Sequence, residues 1–313
     1  MTAPIPIRAA PAAVAIGVFD GLHLGHVAIL DRALERARER ASRCVVVSFD
    51  PHPDVVLSSG AFRFSAPLTP LQEKRARLRA MGVDELDVLP FTRELALLEP
   101  EAFVSEHLVR SHRPHALVVG EGFTLGRGRS GTVERLRAIG EREGFRVDAM
   151  PLCERDGAPV SSTRIRAALS EGRVAQAAEL LGRPYGFSAT VVAGHGIGRT
   201  LGYPTANLRL HEEKLLPADG IYVARVRLPD GAPWRSAAMS IGVRPTFDGR
   251  VRQIEAFILD WSGELVGTEV DVEFVDWLRP ELKFESPEAL VKAIDEDIAK
   301  TRRRLGAAAR EFP

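Results

Sequence analysis

Cysteine is scarce in this 313-residue chain: two occur, Cys44 and Cys153, in separate segments. This excludes a disulfide framework and a metal site built on paired cysteines. Basic charge is not in excess, because 42 Lys and Arg residues balance 42 Asp and Glu residues, so the strongly basic footprint of nucleic-acid-binding proteins is missing. No apolar run approaches the roughly 18 residues of a membrane span, and the Ala- and Pro-rich start lacks a signal-peptide core. We therefore expect a soluble cytoplasmic protein that binds neither nucleic acid nor membrane.

Two kinds of patterning divide the chain. Up to about residue 183, β-branched apolar runs at 14–19, 44–49, 86–89, 117–120 and 145–150 alternate with amphipathic stretches such as 26–41. This alternation predicts an α/β fold, a doubly wound parallel sheet in which the strands are buried on both faces. A capping-box pattern at Thr69, with Pro70 in the first turn, predicts the start of another helix.

After Arg183-Pro184 the segments become short, strand-like and separated by Gly and Pro. Their spacing predicts an antiparallel barrel or sandwich. Ser286 as N-cap and Pro287 as first residue predict a final helix with Leu290, Ile294 and Ile298 on its apolar face. We expect two domains, 1–183 and 184–313.

The string G-V-F-D-G-L-H-L-G-H at 17–26 lies where the first predicted strand meets a helix. Its glycines permit a sharp turn and close approach to a ligand, and a helix N-terminus favours phosphate. His23 and His26 could donate hydrogen bonds to phosphoryl oxygens as charge develops. The predicted phosphate-binding residues of this turn are Gly17, Phe19, Asp20 and Gly25.

The segment S-S-T-R-I-R at 161–166 begins a helix after the fifth predicted strand. Helix capping explains one hydroxyl among Ser161, Ser162 and Thr163, but does not explain Arg164 beside them. Hydroxyls, a helix dipole and a guanidinium together indicate a triphosphate site. Asp50-Pro51-His52-Pro53 ends the second strand, at the sheet edge where open α/β folds bind ligands.

The second half contains a glycine-dense run at 194–207, G-H-G-I-G-R-T-L-G-Y-P-T-A-N. It lacks the Walker A ending and the protein-kinase motifs. Its glycines are equally compatible with backbone N–H groups that bind phosphate and with a Gly-rich hairpin. Thr205 and Asn207 would face the same way on extended chain and supply oxygens to Mg²⁺. Glu255 shares a strand face with Phe257 and Leu259, and a carboxylate among apolar neighbours needs a partner or a role. The alternative is an exposed charged residue at the rim of a barrel. The remaining predicted ATP-binding residues of this half are Gly194, Gly196, Gly198 and Arg199.

These motifs resemble the prokaryotic bifunctional riboflavin kinase/FAD synthetases, from about residue 14 to 305. The G-x-F-D-G-x-H-x-G-H, F-D-P-H-P and S-S-T-R-I-R strings resemble the family's adenylyltransferase half. G-Y-P-T-A-N at 202–207, I-G-V-R-P-T-F at 241–247, the stretch 255–260 and L-R-P-E-L-K-F at 278–284 resemble its riboflavin kinase half, a Greek-key β-barrel with a C-terminal helix.

The resemblance implies two ATP- and Mg²⁺-dependent reactions, riboflavin to FMN and then FMN to FAD with release of pyrophosphate. It implies that His23 and His26 stabilise the adenylyl-transfer transition state. Glu255 would be the base toward the riboflavin 5′-hydroxyl, with Thr205 and Asn207 holding Mg²⁺ and phosphates. It also implies flavin contacts, which we assign to Asp50, His52 and Phe123.

One position departs from the family pattern: Gly122 stands where the family usually has Asn or Asp near the active site. An alternative is therefore a riboflavin kinase whose adenylyltransferase half is weakened. A second alternative is a flavin-binding regulator without turnover, which would have no use for a base at Glu255. The loop 127–131 is equally compatible with a solvated Gly/Arg loop and with a functional one.

Overall fold

A computed structural model describes residues 10–58, 66–194, 197–229, 232–246 and 249–308. The chain divides into two compact units, Met1–Ser162 and Thr163–Pro313. Among the described residues, no helix is long and apolar enough to cross a membrane.

The first unit is built on a five-stranded parallel sheet with the strand order β3-β2-β1-β4-β5. Its strands are β1 Ala12–Ile16, β2 Arg43–Asp50, β3 Glu85–Pro90, β4 Pro114–Gly120 and β5 Arg146–Met150, followed by a small hairpin of β6 Glu154–Arg155 and β7 Ala158–Pro159. The helices are α1 Leu24–Glu39, α2 Pro53–Leu57, α3 Leu71–Ala80, α4 Arg93–Ala96, α5 Pro100–Phe103, a π-helical turn Val104–Val109, α6 Arg110–His112, a 3₁₀ turn Arg127–Arg129 and α7 Val133–Glu143.

Both faces of this sheet are covered, as the continuous apolar strands predict. All five residues of β1 are buried. Val14 packs in one core with Leu136 of α7, and its neighbour Ala15 packs in the other with Leu30 of α1. The predicted doubly wound α/β architecture is confirmed.

Two local predictions were wrong. The first strand ends at Ile16 and not at residue 19, because the chain turns sharply and Phe19 takes a φ of 51°. Thr69 does not cap a helix: α3 begins after Pro70 without a side-chain cap. The Thr69 N–H instead donates to Asp20 Oδ1 at 3.1 Å, which fixes residue 69 outside the helix.

The second unit is a closed six-stranded antiparallel barrel with the strand order β10-β11-β12-β9-β8-β13. The strands are β8 Gly186–Val192, β9 Ala206–Leu210, β10 Gly220–Arg227, β11 Arg235–Thr246, β12 Gly249–Ile258 and β13 Glu269–Arg279. Its helices are α8 Ser162–Ser170, which starts on the last residue of the first unit, α9 Val174–Leu181, α10 Ile197–Thr200 and α11 Pro287–Ala308. The predicted β-barrel followed by a terminal helix is confirmed.

The terminal helix begins as predicted, with the Ala289 N–H donating to Ser286 Oγ at 3.2 Å. Ile294 and Ile298 are only partly buried on it. Asp297 and Thr301 are buried polar residues of this helix, and the Asp297 carboxylate accepts hydrogen bonds from the Arg279 guanidinium at 2.7 to 3.1 Å. An ion pair with multiple hydrogen bonds thus attaches α11 to the end of β13.

Helices α8 and α9 belong to the second compact unit, so the structural division falls at 162/163. The boundary expected from sequence lies at 183/184, after both helices. Val174, Ala177, Leu180 and Leu181 of α9 are buried, and α9 packs against β13. Which of the two boundaries separates independently folding domains stays a prediction.

Candidate active sites

A tight turn follows β1 in the first unit and leads directly into α1. Phe19, Gly21 and Leu22 all take positive φ values, 51°, 90° and 45°. Two of these residues are not glycine, so the turn carries backbone strain that the surrounding structure must hold. This turn delivers His23 to the N-cap of α1, at the carboxyl edge of the central strand.

His23 and His26 form a stacked pair at this helix start. Their ring centroids are 3.6 Å apart with an interplanar angle of 17°, and the His26 backbone N–H donates to His23 Nδ1 at 3.3 Å. Because Nδ1 accepts, a neutral His23 ring carries its proton on Nε2. The pair can therefore present an imidazole N–H beside a helix N-terminus, which is the arrangement predicted for a phosphoryl group.

Two glycines make this packing possible. A Cβ placed on Gly25 would lie 3.3 Å from the His23 ring, and one on Gly17 would lie 3.3 Å from the Phe19 ring. A larger side chain at either position would push an aromatic ring of the turn out of place. Gly17 and Gly25 thus serve the shape of the turn, and both also line the adjoining cleft.

Asp20 and Lys74 support the turn from beneath. Asp20 is buried, and its Oδ1 accepts from the backbone N–H groups of Leu68 and Thr69 at 2.9 and 3.1 Å. Lys74 Nζ, also buried, donates to Val18 O at 2.8 Å and to Ser48 Oγ at 3.2 Å. Burial lowers the pKa of Lys74. Asp20 does not line the cleft, and the contacts given above stabilise the turn. The role of Lys74 was not predicted, since a helical lysine ordinarily points to solvent.

The second predicted motif of this half reaches the same turn through Ser162. Its Oγ donates to Asp20 O at 2.8 Å, across 142 residues of sequence. Ser162 and Ser161 are both partly buried. Thr163 and Arg164 are the next residues of α8 and fall in the second compact unit. Their assigned role at the triphosphate stays a prediction.

A cleft of about 1010 Å³ opens beside the turn. His23, His26 and Phe19 line one part of it, and apolar side chains line most of the remainder. Three leucines on its wall, Leu57, Leu97 and Leu152, are each more than half exposed. An exposed apolar wall of this kind marks a binding surface for a partly apolar ligand.

The three residues assigned to the flavin differ in where they lie. Phe123 lines the cleft, whereas Asp50 and His52 do not. His52 caps α2 instead, its Nδ1 accepting from the Asp54 N–H at 3.1 Å. Pro53 and Leu57 of that short helix line the cleft in their place. The flavin contacts of Asp50 and His52 stay predictions.

Gly122 also lines the cleft. A Cβ built on it meets no atom within 4 Å, and its φ is not in the left-handed region. The position therefore has room for the Asn or Asp that the resemblance leads one to expect there. The structure gives no steric reason for glycine.

Sequence reasoning did not assign the cationic and thiol groups of the cleft. Arg93, Arg129 and Cys153 all line it. Arg129 belongs to the loop left open between a functional and a solvated interpretation, and Arg93 opens a four-residue helix with no recognisable motif. The G-R-G-R spacing was the signal for Arg129, but a sequence does not reveal which arginine of such a loop lines the cleft.

In the second unit, the three residues predicted for catalysis and metal binding come together. Glu255 of β12 lies directly opposite Asn207 of β9, and paired residues of antiparallel strands share a face. Thr205 Oγ1 donates to Glu255 Oε2 at 3.0 Å. Phe257 lies on the same partly buried face as predicted, but Leu259 lies beyond the end of β12.

The glycines that precede these residues admit close approach. A Cβ on Gly194 would lie 2.0 Å from Asn207 Nδ2, and one on Gly198 would lie 2.3 Å from Tyr203 O. Both glycines therefore let the loop close over the polar residues. Gly196 and the side chain of Arg199 lie outside the described residues, so their predicted phosphate contacts stay predictions.

A metal-binding cluster of three or more His, Cys, Asp or Glu side chains does not occur in the described part of the chain. The Thr205 hydroxyl and the Asn207 amide supply the hard oxygen ligands that Mg²⁺ accepts, and Mg²⁺ commonly completes its shell with waters and substrate phosphates. These residues fit an ion that arrives with a nucleotide. They do not form a complete protein cage.

Comparison with known proteins gives a separate family match for each half of the chain. A family model for FAD synthetase matches residues 6–164, and one for riboflavin kinase matches residues 181–305. The chain is 37% identical over 290 residues to the bifunctional riboflavin kinase/FMN adenylyltransferase of Listeria monocytogenes, covering 92% of this chain and 91% of that one. It is 35% identical over 291 residues to the protein of the same name from Escherichia coli, covering 93% and 92%.

A solved structure is similar over most of the chain. A crystal structure described as a macrolide-efflux protein from Streptococcus pneumoniae has a TM-score of 0.86 and 32% identity, covering 95% of each chain. That description applies to the other protein. The match shows that the two chains share a fold.

Proposed function

The chain belongs to the bifunctional riboflavin kinase/FMN adenylyltransferase family, and on that premise we propose how its two units divide the work. It is an enzyme that phosphorylates riboflavin with ATP to give FMN and then adenylylates FMN to give FAD and pyrophosphate. We assign adenylyl transfer to the first unit and phosphoryl transfer to the barrel.

For adenylyl transfer, an oxygen of the FMN phosphate attacks the α-phosphorus of ATP, and the bond to pyrophosphate breaks. His23 and His26 stand where charge develops on the α-phosphoryl oxygens and stabilise it by hydrogen bonding. The N-terminus of α1 adds its dipole. Ser161, Ser162, Thr163 and Arg164 hold the departing triphosphate end. The contact between Ser162 and the Asp20 carbonyl supports this assignment, because it attaches the second motif to the histidine turn.

The cleft wall suits the flavin itself. The isoalloxazine ring is broad and flat with apolar aromatic faces, and Phe123 with the exposed leucines at 57, 97 and 152 offers a matching surface. Burying that exposed wall under the ring would stabilise the complex in proportion to the area removed from water, about 25 cal/mol per Å².

For phosphoryl transfer, the 5′-oxygen of riboflavin attacks the γ-phosphorus of ATP, and ADP leaves. Glu255 accepts the proton of that hydroxyl group. Thr205 and Asn207 orient the phosphates and are the residues that would hold Mg²⁺, which neutralises phosphate charge when bound. Positioning and charge stabilisation supply most of the catalysis in such transfers. The juxtaposition of Thr205, Asn207 and Glu255 is the single observation that carries this assignment.

One assay tests the two activities together. Purified protein is incubated with riboflavin, ATP and Mg²⁺, and flavins are separated by chromatography over time. We expect FMN to appear first and FAD to follow. FMN without FAD would support the kinase-only alternative. Flavin binding with neither product would support the non-catalytic regulator.

Small-molecule substrates fit the family. The absence of nucleic-acid binding stays a prediction from the balance of charge, and the cytoplasmic location stays a prediction from the sequence. A filter-binding assay with RNA tests the first, and retention of RNA at physiological salt would contradict it.

A further inference from the structure

The cleft of the first unit has one sign of charge. Among the described residues that line it, Arg93, Arg129, His23 and His26 can be cationic, and no Asp or Glu is present. An anionic ligand is therefore favoured throughout the cleft. The histidine turn accounts for the ATP phosphates. Arg93 and Arg129 have no role in that assignment, and they can bind a second anion.

Arg129 is held in an unusual conformation. Its φ is 60°, in the left-handed region that residues other than Gly, Asn and Asp rarely adopt. Such outliers persist only where the surroundings impose them, and they concentrate at functional sites. Gly128 beside it is also at positive φ, 59°. Glycine would adopt the conformation of residue 129 without strain as well, yet this position carries arginine.

The loop that carries Arg129 is firmly closed. Leu125 and Gly131 exchange backbone hydrogen bonds of 3.2 and 2.9 Å, and the Arg127 N–H donates to Leu98 O at 2.8 Å. Arg129 Nε donates to Thr124 Oγ1 at 3.0 Å, and Thr124 also lines the cleft. A guanidinium has five N–H donors, so the terminal nitrogens of Arg129 are available to a ligand in addition to Thr124.

Strand order places this loop beside the histidines. It follows β4, which pairs with β1, and the turn with His23 follows β1. Parallel strands end at the same edge of the sheet, so the two connections are neighbours. A phosphate held by the loop after β4 would lie next to a phosphoryl group held at the start of α1.

We propose that Arg129 binds the phosphate group of FMN and orients it toward the α-phosphorus of ATP. The guanidinium would take two non-attacking phosphate oxygens in a bidentate contact, leaving the third free to attack. Arg129 is then a specificity-determining residue that distinguishes FMN from riboflavin at this site. The inference rests on the proposed adenylyl transfer by the first unit.

The test measures KM for FMN and for ATP in FAD synthesis by the full-length chain. Arg129→Gln should raise KM for FMN by about tenfold or more, the scale of one lost hydrogen bond to a charged group, and leave KM for ATP within about twofold. Arg129→Lys keeps the charge but loses the bidentate guanidinium. Its KM for FMN should therefore lie between those of the wild type and Arg129→Gln. Arg129→Gly removes strain at φ 60°, so its melting temperature should be no lower than that of the wild type.

Arg127 is the matched control in the same loop. It is exposed, pairs with Glu99 at 3.3 Å and does not line the cleft. Arg127→Gln should leave both KM values within about twofold. An unchanged KM for FMN in Arg129→Gln, or an equal rise in KM for ATP, would overturn the assignment. If the wild type makes FMN but no FAD, the proposed adenylyl transfer fails and this inference falls with it.

Discussion

Thr205 Oγ1 donates a hydrogen bond of 3.0 Å to Glu255 Oε2 across 50 residues of sequence. The contact joins the residue predicted to hold Mg²⁺ to the residue predicted to take a proton. It fixes the carboxylate in one orientation on the partly buried face of β12, where Asn207 is its cross-strand neighbour. The barrel therefore brings the three polar residues together in a single patch, although they belong to two motifs that are distant in the sequence.

Glu255→Gln tests the base directly. Glutamine keeps the size of the side chain and still accepts a hydrogen bond from Thr205, but it cannot accept a proton. FMN formation should fall by about 10²-fold or more, the usual scale of general-base catalysis. Conversion of FMN to FAD by the same preparation should be nearly unchanged, because that reaction is assigned to the other unit. Both rates are read by chromatography of the flavins.

The matched control is Glu264→Gln, an exposed carboxylate in the same unit. Both reactions should proceed at wild-type rates in this variant. Riboflavin phosphorylation that survives unaltered in Glu255→Gln would remove Glu255 from the mechanism.

The adenylyl-transfer site is tested by His26→Ala. The variant removes one ring of the stacked pair and the hydrogen bonds it would give to the α-phosphoryl group, so FAD formation should fall by about 10²- to 10³-fold. Riboflavin phosphorylation should be retained. His115→Ala is the control within the same unit, since that ring contacts Ser42 at 2.7 Å and does not line the cleft. An equal loss of FAD in both variants would indicate general damage to the unit.

Sequence patterning predicted both architectures because each depends on repetition. Buried strands repeat apolar residues, and α11 repeats them every four. Single contacts do not repeat. A buried polar residue of α11 is Asp297, whose carboxylate accepts a hydrogen bond from Arg279. From the sequence alone, a helical carboxylate is expected to be exposed.

The same limit applies to the sites. Motif strings predicted His23, His26 and Glu255 because the strings are long and specific. Asp20 belongs to the same string, yet its observed contacts anchor residues 68 and 69, and this depends on a pairing 48 residues away that no local pattern encodes. The roles of Lys74 and Arg129 were not predicted for the same reason, because tertiary structure decides the orientation of their side chains.

Gly122→Asn tests the departure from the family pattern. The new side chain enters open space in the cleft, since a Cβ at this position has no neighbour within 4 Å. FAD formation should be equal to or faster than that of the wild type, because an amide adds hydrogen-bonding capacity without a clash. The control is Gly131→Asn, in which a Cβ would lie 2.8 Å from Leu125 O; this variant should lose activity and stability. If wild type makes no FAD and Gly122→Asn does, the glycine has inactivated this half.

The two cysteines should differ sharply in reactivity. Burial raises the pKa of Cys44 to about 12, so at pH 8 its thiol is almost entirely protonated and slow to react. Cys153 is only partly buried and lines the cleft beside Gly25. A thiol reagent should label Cys153 in the native protein, and saturating FMN should slow that labelling. Mass spectrometry of the labelled peptides identifies the site. Rapid labelling of Cys44 in the folded chain would contradict the burial argument.

The domain boundary can be decided with two fragments of the second half. One begins at Thr163 and keeps α9 and most of α8, and the other begins at Arg183 and loses both. Four buried side chains of α9, at 174, 177, 180 and 181, pack with the barrel unit, and burying a large apolar side chain stabilises by about 1.5–3 kcal/mol. We expect the longer fragment to phosphorylate riboflavin and to exceed the shorter one in free energy of unfolding by several kcal/mol, measured in urea. Equal stability of the two would favour the boundary at 183/184, and a folded but inert longer fragment would remove the kinase from this unit.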